Sequence, residues 1–355
     1  MGDSQQRLQA LDALRGIAAL AVVLFHYLPY YHELYGHSFT PWAWLEFGRY
    51  GVHLFFILSG FVIFMTLERT RSAGWFAMAR SMRLLPGLWA GIVITWLFVA
   101  ALGPDDRAVG LGSALLNTTL LHEYLGFPHV DGAYWSLVIE ATFYVWIGLM
   151  FYTLRQWSRI RPLLWIWVAV SYVGVLWWKE IPAAIEFLVK DLLFVRYAPL
   201  FVTGMLLYRW HRHRHLSLAD GLLLALAIGH CMVAYKVPFS YFVLGCHGVF
   251  VLAVNGYLDR LAVRPLLWLG SLSYALYLVH QNVGYGVIGW SYELALPGGA
   301  GVGLALLTAF SLAAVIHYGI EKPALRWFRN IRKHREAKPA APVPLLTARA
   351  PESLP

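Results

Sequence analysis

Ten apolar stretches, near 11–28, 51–68, 84–102, 134–154, 163–178, 191–208, 218–235, 240–257, 265–290 and 300–320, run through the chain between short polar segments. Each is about the length, ~20 residues, that crosses a hydrocarbon core as a helix. The pattern predicts an all-α polytopic membrane helix bundle of about ten transmembrane helices. A weakly apolar piece at 110–125 carries Asn117, His122 and Glu123 and reads as an interfacial or re-entrant helix. Residues 1–335 read as a single transmembrane domain, and the Ala- and Pro-rich 336–355 as a disordered cytoplasmic tail.

Composition agrees with the pattern: 59% of the 355 residues are hydrophobic and 13% charged, too apolar for a soluble domain of this size. The net charge of +9 invites a nucleic-acid reading until the cations are sorted by loop. With the amino terminus inside, 21 of the 28 Lys and Arg fall in cytoplasmic segments. Five, Arg49, Arg107, Lys179, Lys190 and Lys236, fall in outer loops, and Arg15 and Arg196 lie within spans. That asymmetry places both termini in the cytoplasm and makes the basic balance a matter of topology. The first stretch lacks a convincing cleavage site and reads as an uncleaved span. The two cysteines, Cys231 and Cys246, fall in apolar stretches and read as small apolar residues, and no metal-ligand cluster is visible.

Arg15 and His26 are the ionisable pair inside the first stretch. Eleven residues at about 100° each return to within about 20° of the start, so both lie on one stripe separated by roughly 16 Å of rise. Ala18, Ala19 and Val22 lie between them, and Asp12 is a natural ion-pair partner for Arg15. Either residue alone could snorkel to a headgroup. Two on one face point instead to a pathway or reaction site, because an intramembrane charge is costly.

Arg80 and Arg83, three apart before the third stretch, form a fork suited to phosphate oxygens, with Pro86 placed in the first turn of the following helix. Taken alone, the pair is more simply explained by ordinary positive-inside charge. Glu140 falls about six residues, roughly 9 Å, below the outer rim of the fourth stretch. That depth matches His26, whose imidazole would be a good partner for a carboxylate. In the ninth stretch Ser273, Tyr277 and His280 share one stripe that should face the bundle interior.

Taken together, these runs resemble the acyltransferase-3 family of integral membrane acyltransferases over about residues 8–330. The carriers are Leu14-Arg15-Gly16 with His26, the run 51–61 through His53, Ser59 and Gly60, Arg80-x-x-Arg83 with Pro86, and Trp135-Ser136-Leu137 with Glu140, Phe143 and Tyr144. Ser273-Tyr274 with Tyr277 and His280, and Glu321-Lys322-Pro323, complete the set. Two features depart from the family pattern: His53 stands where an acid is common, and Ala141-Thr142 follow Glu140 where Glu-Gln is common.

The resemblance implies transfer of an acyl group, most simply acetyl, from acyl-coenzyme A to a hydroxyl of a sugar, glycan or related small molecule. It implies His26 as the catalytic histidine with Arg15 and Glu140 beside it, and Arg80, Arg83 and Arg15 on the donor. Asp12, His53, Ser136, Tyr277 and His280 take supporting places. No permanently bound cofactor and no metal is expected, and the partners are the donor, the acceptor and the bilayer of a bacterial inner membrane. His26 would act as general base on the acceptor hydroxyl, or as an acyl-histidine relay. The rival reading is an exporter or permease of a polar metabolite with the Arg, His and Glu as a proton relay. Its weak point is the lack of an internal repeat.

Overall fold

The computed structural model describes residues 3–70 and 72–336; apart from Glu336, the predicted tail lies outside them. Twelve principal helices carry the fold: α1 (Asp3–Phe25), α2 (Gly51–Arg69), α3 (Ala73–Leu102), α4 (Trp135–Leu154), α5 (Trp157–Leu176) and α6 (Ala198–His213). The second half adds α7 (Leu218–Gly229), α8 (Phe239–Val254), α9 (Arg264–Val279), α10 (Gln281–Glu293), α11 (Gly298–Ile316) and α12 (Lys322–Glu336). The described residues contain no strand.

Among the described residues, six segments are long and apolar enough to cross a membrane: Gln9–Tyr35, Ala43–Arg69, Ala73–Leu102, Gly132–Leu154, Trp157–Leu176 and Gly298–Arg332. Leu218–Ala234 and Phe239–Val254 are shorter apolar helices. The other two predicted stretches fall on α6 and on the pair α9 and α10. The protein is thus an all-α membrane helix bundle. Helices satisfy every backbone group within themselves, as lipid requires. Large apolar side chains such as Val93, Val145, Val173 and Leu307 face outward.

α1 runs through the middle of the bundle, packed on α9, on the turn Ala43–Tyr50 and on α2, while α2 packs on α6. These contacts bring backbones together. Gly270 of α9 sits so close to the Asp12 carbonyl, and Gly204 of α6 so close to the Ile57 carbonyl, that neither position has room for a Cβ.

Two irregularities shape the interior. Pro29 lacks the N–H that the Phe25 carbonyl would accept, and the chain widens at His26–Tyr30 into a π-helical turn, with the Tyr31 N–H closing on the His26 carbonyl. The predicted ninth span is broken at His280. The Asn282 N–H leaves the helical ladder to donate to Asp131 Oδ2 at 3.0 Å, and the Leu278 carbonyl accepts the Tyr134 hydroxyl at 3.0 Å. Side chains from the loop before α4 therefore satisfy the groups that the break releases.

Two local expectations change. α3 begins at Ala73, where the Trp75 N–H reaches the Ser72 hydroxyl at 3.5 Å, so Pro86 lies inside the helix rather than in its first turn. Arg80 and Arg83 then sit on continuous helix, and a helix amino end does not contribute to anion binding there. The segment 110–125 forms only a short helix, Leu111–Asn117, followed by turns. The buried Asn117 side chain accepts the Val130 N–H at 3.1 Å and donates to the Pro128 carbonyl at 3.0 Å, fastening the loop that presents Asp131.

Candidate active site

His26 starts the π-helical turn, which carries its ring toward α9 and α10. Its Nδ1 lies 2.9 Å from the Val22 carbonyl and 3.1 Å from His280 Nε2. A carbonyl only accepts, so His26 Nδ1 carries the proton, and this single N–H is shared between the Val22 carbonyl and His280 Nε2 as a three-centre bond. The same logic fixes the partner: His280 Nδ1 lies 2.9 Å from the Tyr277 carbonyl, so it is protonated, and the neutral ring offers a bare Nε2 that accepts from His26. Both constraints give the same tautomer, and His26 Nε2 keeps its lone pair.

His280 is itself held. It is fully buried, its carbonyl accepts the Tyr27 hydroxyl at 2.7 Å, and the break after it is pinned by Asp131. Asp131 also accepts the Ala133 N–H at 3.0 Å, and burial pushes its carboxyl up to about 7. The chain of support runs from Asn117 through Val130 and Asp131 to the helix break and so to His26.

Two cavities flank this frame. One, of about 130 Å³, is lined by Arg15, Arg80, Arg83, Ser59, Glu140 and Tyr274, among others. The other, of about 770 Å³, is lined by His26, Arg49, His53, Trp135, Arg196 and Lys236, among others. Val52 and Tyr277 line both, so the Arg15 and His26 cavities abut at those two side chains. Tyr277 is fixed there by Ser136, 2.6 Å away, and by donating to the Ala133 carbonyl at 2.9 Å.

In the Arg15 cavity, Arg15 Nη1 lies 3.4 Å from Asp12 Oδ1, and Arg83 Nη1 lies 3.5 Å from the buried Glu321 Oε2. Glu321 also holds His317 Nδ1 at 2.9 Å. The Arg83 guanidinium lies over the Tyr274 ring, 5.1 Å from its centroid, and the Arg80 guanidinium over Phe76. The arrangement offers cationic donors at the wall of a narrow, mostly apolar passage.

The sequence places Glu140 beside His26, and the structure does not bring them together. Glu140 Oε1 accepts from Ser59 at 2.8 Å and from Tyr144, and the residue lines the Arg15 cavity. Matching depth along two helices does not fix which side faces inward. The residues of that segment at the His26 cavity are Gly132 and Trp135, the latter about 7 Å nearer the loop. His53 lines the His26 cavity, 5% exposed, with neither ring nitrogen hydrogen-bonded. Ser273 donates to the Gly270 carbonyl within its own helix and lines the Arg15 cavity.

Several residues at or behind the His26 cavity escape a reading by sequence alone. Asp131, Tyr27 and Tyr134 support the helix break, and Arg49, Arg196 and Lys236 line the His26 cavity. Only Arg196 carries a signal that could have found it, as a cation inside an apolar stretch.

The family described as an acyltransferase domain matches residues 8–318. Nodulation protein 10 of Rhizobium leguminosarum bv. viciae is 28% identical, covering 89% of this chain and 92% of that protein. Acyltransferase MdmB of Streptomyces mycarofaciens is 28% identical, with 90% and 92% covered. Peptidoglycan O-acetyltransferase OatA of Listeria monocytogenes is 23% identical over 79% of this chain and 50% of its own length. No solved structure matches.

Proposed function

We propose, from the premise that this chain belongs to the acyltransferase-3 family, that it moves an acetyl group from acetyl-coenzyme A to a hydroxyl of a sugar or related small molecule. As a member it is a multi-pass membrane enzyme that transfers groups other than aminoacyl groups, with an acyl donor, a hydroxyl acceptor and a bilayer as its partners. Our reading adds the donor, the acceptor class, the residue roles and the sidedness. Residues 1–335 act as one transmembrane unit in a bacterial inner membrane with both termini in the cytoplasm, which puts the Arg15 cavity toward the cytoplasm and the His26 cavity toward the outside.

Arg80, Arg83 and Arg15 hold the donor's phosphates as charge-assisted partners, and its slender thioester arm enters the Arg15 cavity. The acceptor occupies the larger His26 cavity, and the acyl carbon meets its hydroxyl at the Val52 and Tyr277 junction. His26 Nε2 takes the hydroxyl proton as the oxygen attacks the thioester carbonyl. The new C–O bond forms, the C–S bond breaks, and the proton passes from His26 to the departing thiolate, giving an ester and free coenzyme A. His280 holds the His26 tautomer, and the two adjoining cavities bring the thioester and the hydroxyl together.

The observation that carries this reading is the hydrogen-bond pair of His26, to Val22 and to His280, which commits Nδ1–H and leaves Nε2 able to accept a proton. Incubation of membranes containing the protein with isotope-labelled acetyl-coenzyme A tests it. The expected product is a labelled acetyl ester of a hydroxyl compound together with free coenzyme A. Movement of a metabolite across the membrane with no consumption of acetyl-coenzyme A would overturn it.

A further inference from the structure

The wall of the His26 cavity is strongly cationic. Arg49, Arg196 and Lys236 line it, and its lining contains no Asp or Glu. Among the described residues none of these three forms an ion pair. The Arg49 guanidinium lies over the Phe25 ring at 5.3 Å and that of Arg196 over Tyr235 at 5.1 Å. Arg196 Nε is buried without a hydrogen-bond partner, as are both ring nitrogens of His53 on the same wall. Glu123 and Asp191 line an adjoining cavity that shares Arg196, whereas Arg49 and Lys236 line the His26 cavity.

This concentration runs against the charge pattern of the chain. Only seven Lys and Arg lie outside the segments assigned to the cytoplasm, and three of the seven converge here. The buried, unpartnered Arg196 Nε carries a desolvation cost that a bound anion would relieve, and the exposed Arg49 and Lys236 add positive charge at the same wall. The rest of the wall is flat and aromatic, with Trp135, Trp178, Tyr50 and Tyr235, surfaces on which a sugar ring face packs well. At about 770 Å³ the cavity lies within the ~300–1,000 Å³ range of small-molecule sites.

We infer that the acceptor is an anionic carbohydrate, a sugar unit whose carboxylate or phosphate is held by Arg49, Arg196 and Lys236 while one hydroxyl reaches His26. This rests on the assignment of the His26 cavity to the acceptor. The anion fixes the ring's orientation and therefore selects which hydroxyl is acylated. Arg196 and His53 hold the deep end of the ligand, and the exposed Arg49 and Lys236 close over it.

The test uses the full chain in nanodiscs, with binding of glucuronate, glucose 1-phosphate and glucose measured by titration calorimetry alongside acetyl transfer to each. One or both anionic sugars should bind at least tenfold more tightly than glucose, and preference for one of them identifies carboxylate or phosphate as the anchor. Arg49→Gln combined with Lys236→Gln should erase the difference, and both side chains are exposed, so the variant should fold. Raising the salt concentration should shrink the preference in the parent protein. Equal binding of all three sugars, or a preference that survives in the double variant, overturns the inference. Anion-selective binding lost in the double variant, with no transfer to any sugar, supports the site and counts against the catalytic reading. Transfer to glucose at the anionic sugars' rate, with equal binding, does the reverse.

Discussion

His280 Nε2 accepts the Nδ1 proton of His26 across 3.1 Å, and the two residues are 254 positions apart in the chain. The pair converts a lone intramembrane imidazole into one with a fixed tautomer. His280→Ala should leave the protein inserted yet lower kcat by about 10–100-fold, the range for losing a partner that orients a working imidazole. His280→Gln, whose amide oxygen can accept the same proton, should recover part of the loss. Equal defects in the two variants would point to a packing role alone.

Val52 and Tyr277 are the residues at which donor and acceptor meet in this account. Val52→Trp should fill the junction and cut transfer more than tenfold, while coenzyme A binding falls far less because Arg80 and Arg83 still hold its phosphates. Overpacking costs about 1–3 kcal/mol, so the melting temperature should fall without loss of the fold. Equilibrium binding of coenzyme A and acetyl transfer, measured on the same preparation, separate the two effects. Undiminished transfer would mean that the acyl group takes another route.

Arg83 is tied to the buried Glu321 at 3.5 Å, whereas Arg80 has no ion pair among the described residues. Arg80→Ala should raise KM for acetyl-coenzyme A about tenfold, equivalent to ~1.4 kcal/mol, with little change in kcat. Glu321→Gln should act differently. It removes the counter-charge of Arg83 and a partner of His317, so it should lower thermal stability as well as donor affinity. Initial rates over a range of donor concentrations, with melting curves in detergent, distinguish the patterns.

Burial raises the Asp131 carboxyl from its ordinary 3.8 to about 7. A carboxyl whose folded value is raised favours the protonated fold, so its contribution to stability is complete below about pH 4 and is lost as pH rises toward 7. Asp131→Asn does not titrate. The melting temperature of the parent protein, relative to that of Asp131→Asn, should therefore fall between pH 4.5 and pH 8. A difference that stays flat or rises over this range would contradict the assignment.

Much of the architecture is legible in the chain because lipid imposes simple rules: long apolar runs must be helices, and an ionisable residue inside one stands out. Arg15 and His26 are found that way, and Arg196 is marked by the same rule. The junction is not legible, since Val52 is one apolar residue among many. Asp131 is hidden for the opposite reason, because an acid in a loop is ordinary until folding buries it against the broken helix. Glu140 shows the limit of reasoning from depth, which gives the level of a side chain but not the side it faces. Hydropathy places Pro86 near a helix start because it ignores the polar first turns of α3, although Ser72 carries the capping signal.

The central claim is that His26 takes the acceptor's proton, and acetyl transfer by His26→Ala tests it most directly. Membranes carrying the variant at parental abundance, supplied with labelled acetyl-coenzyme A and the acceptor, should transfer at least 100-fold more slowly, the ~10²–10⁴-fold loss expected for a general base, while still binding coenzyme A. Transfer at the parental rate would contradict the account.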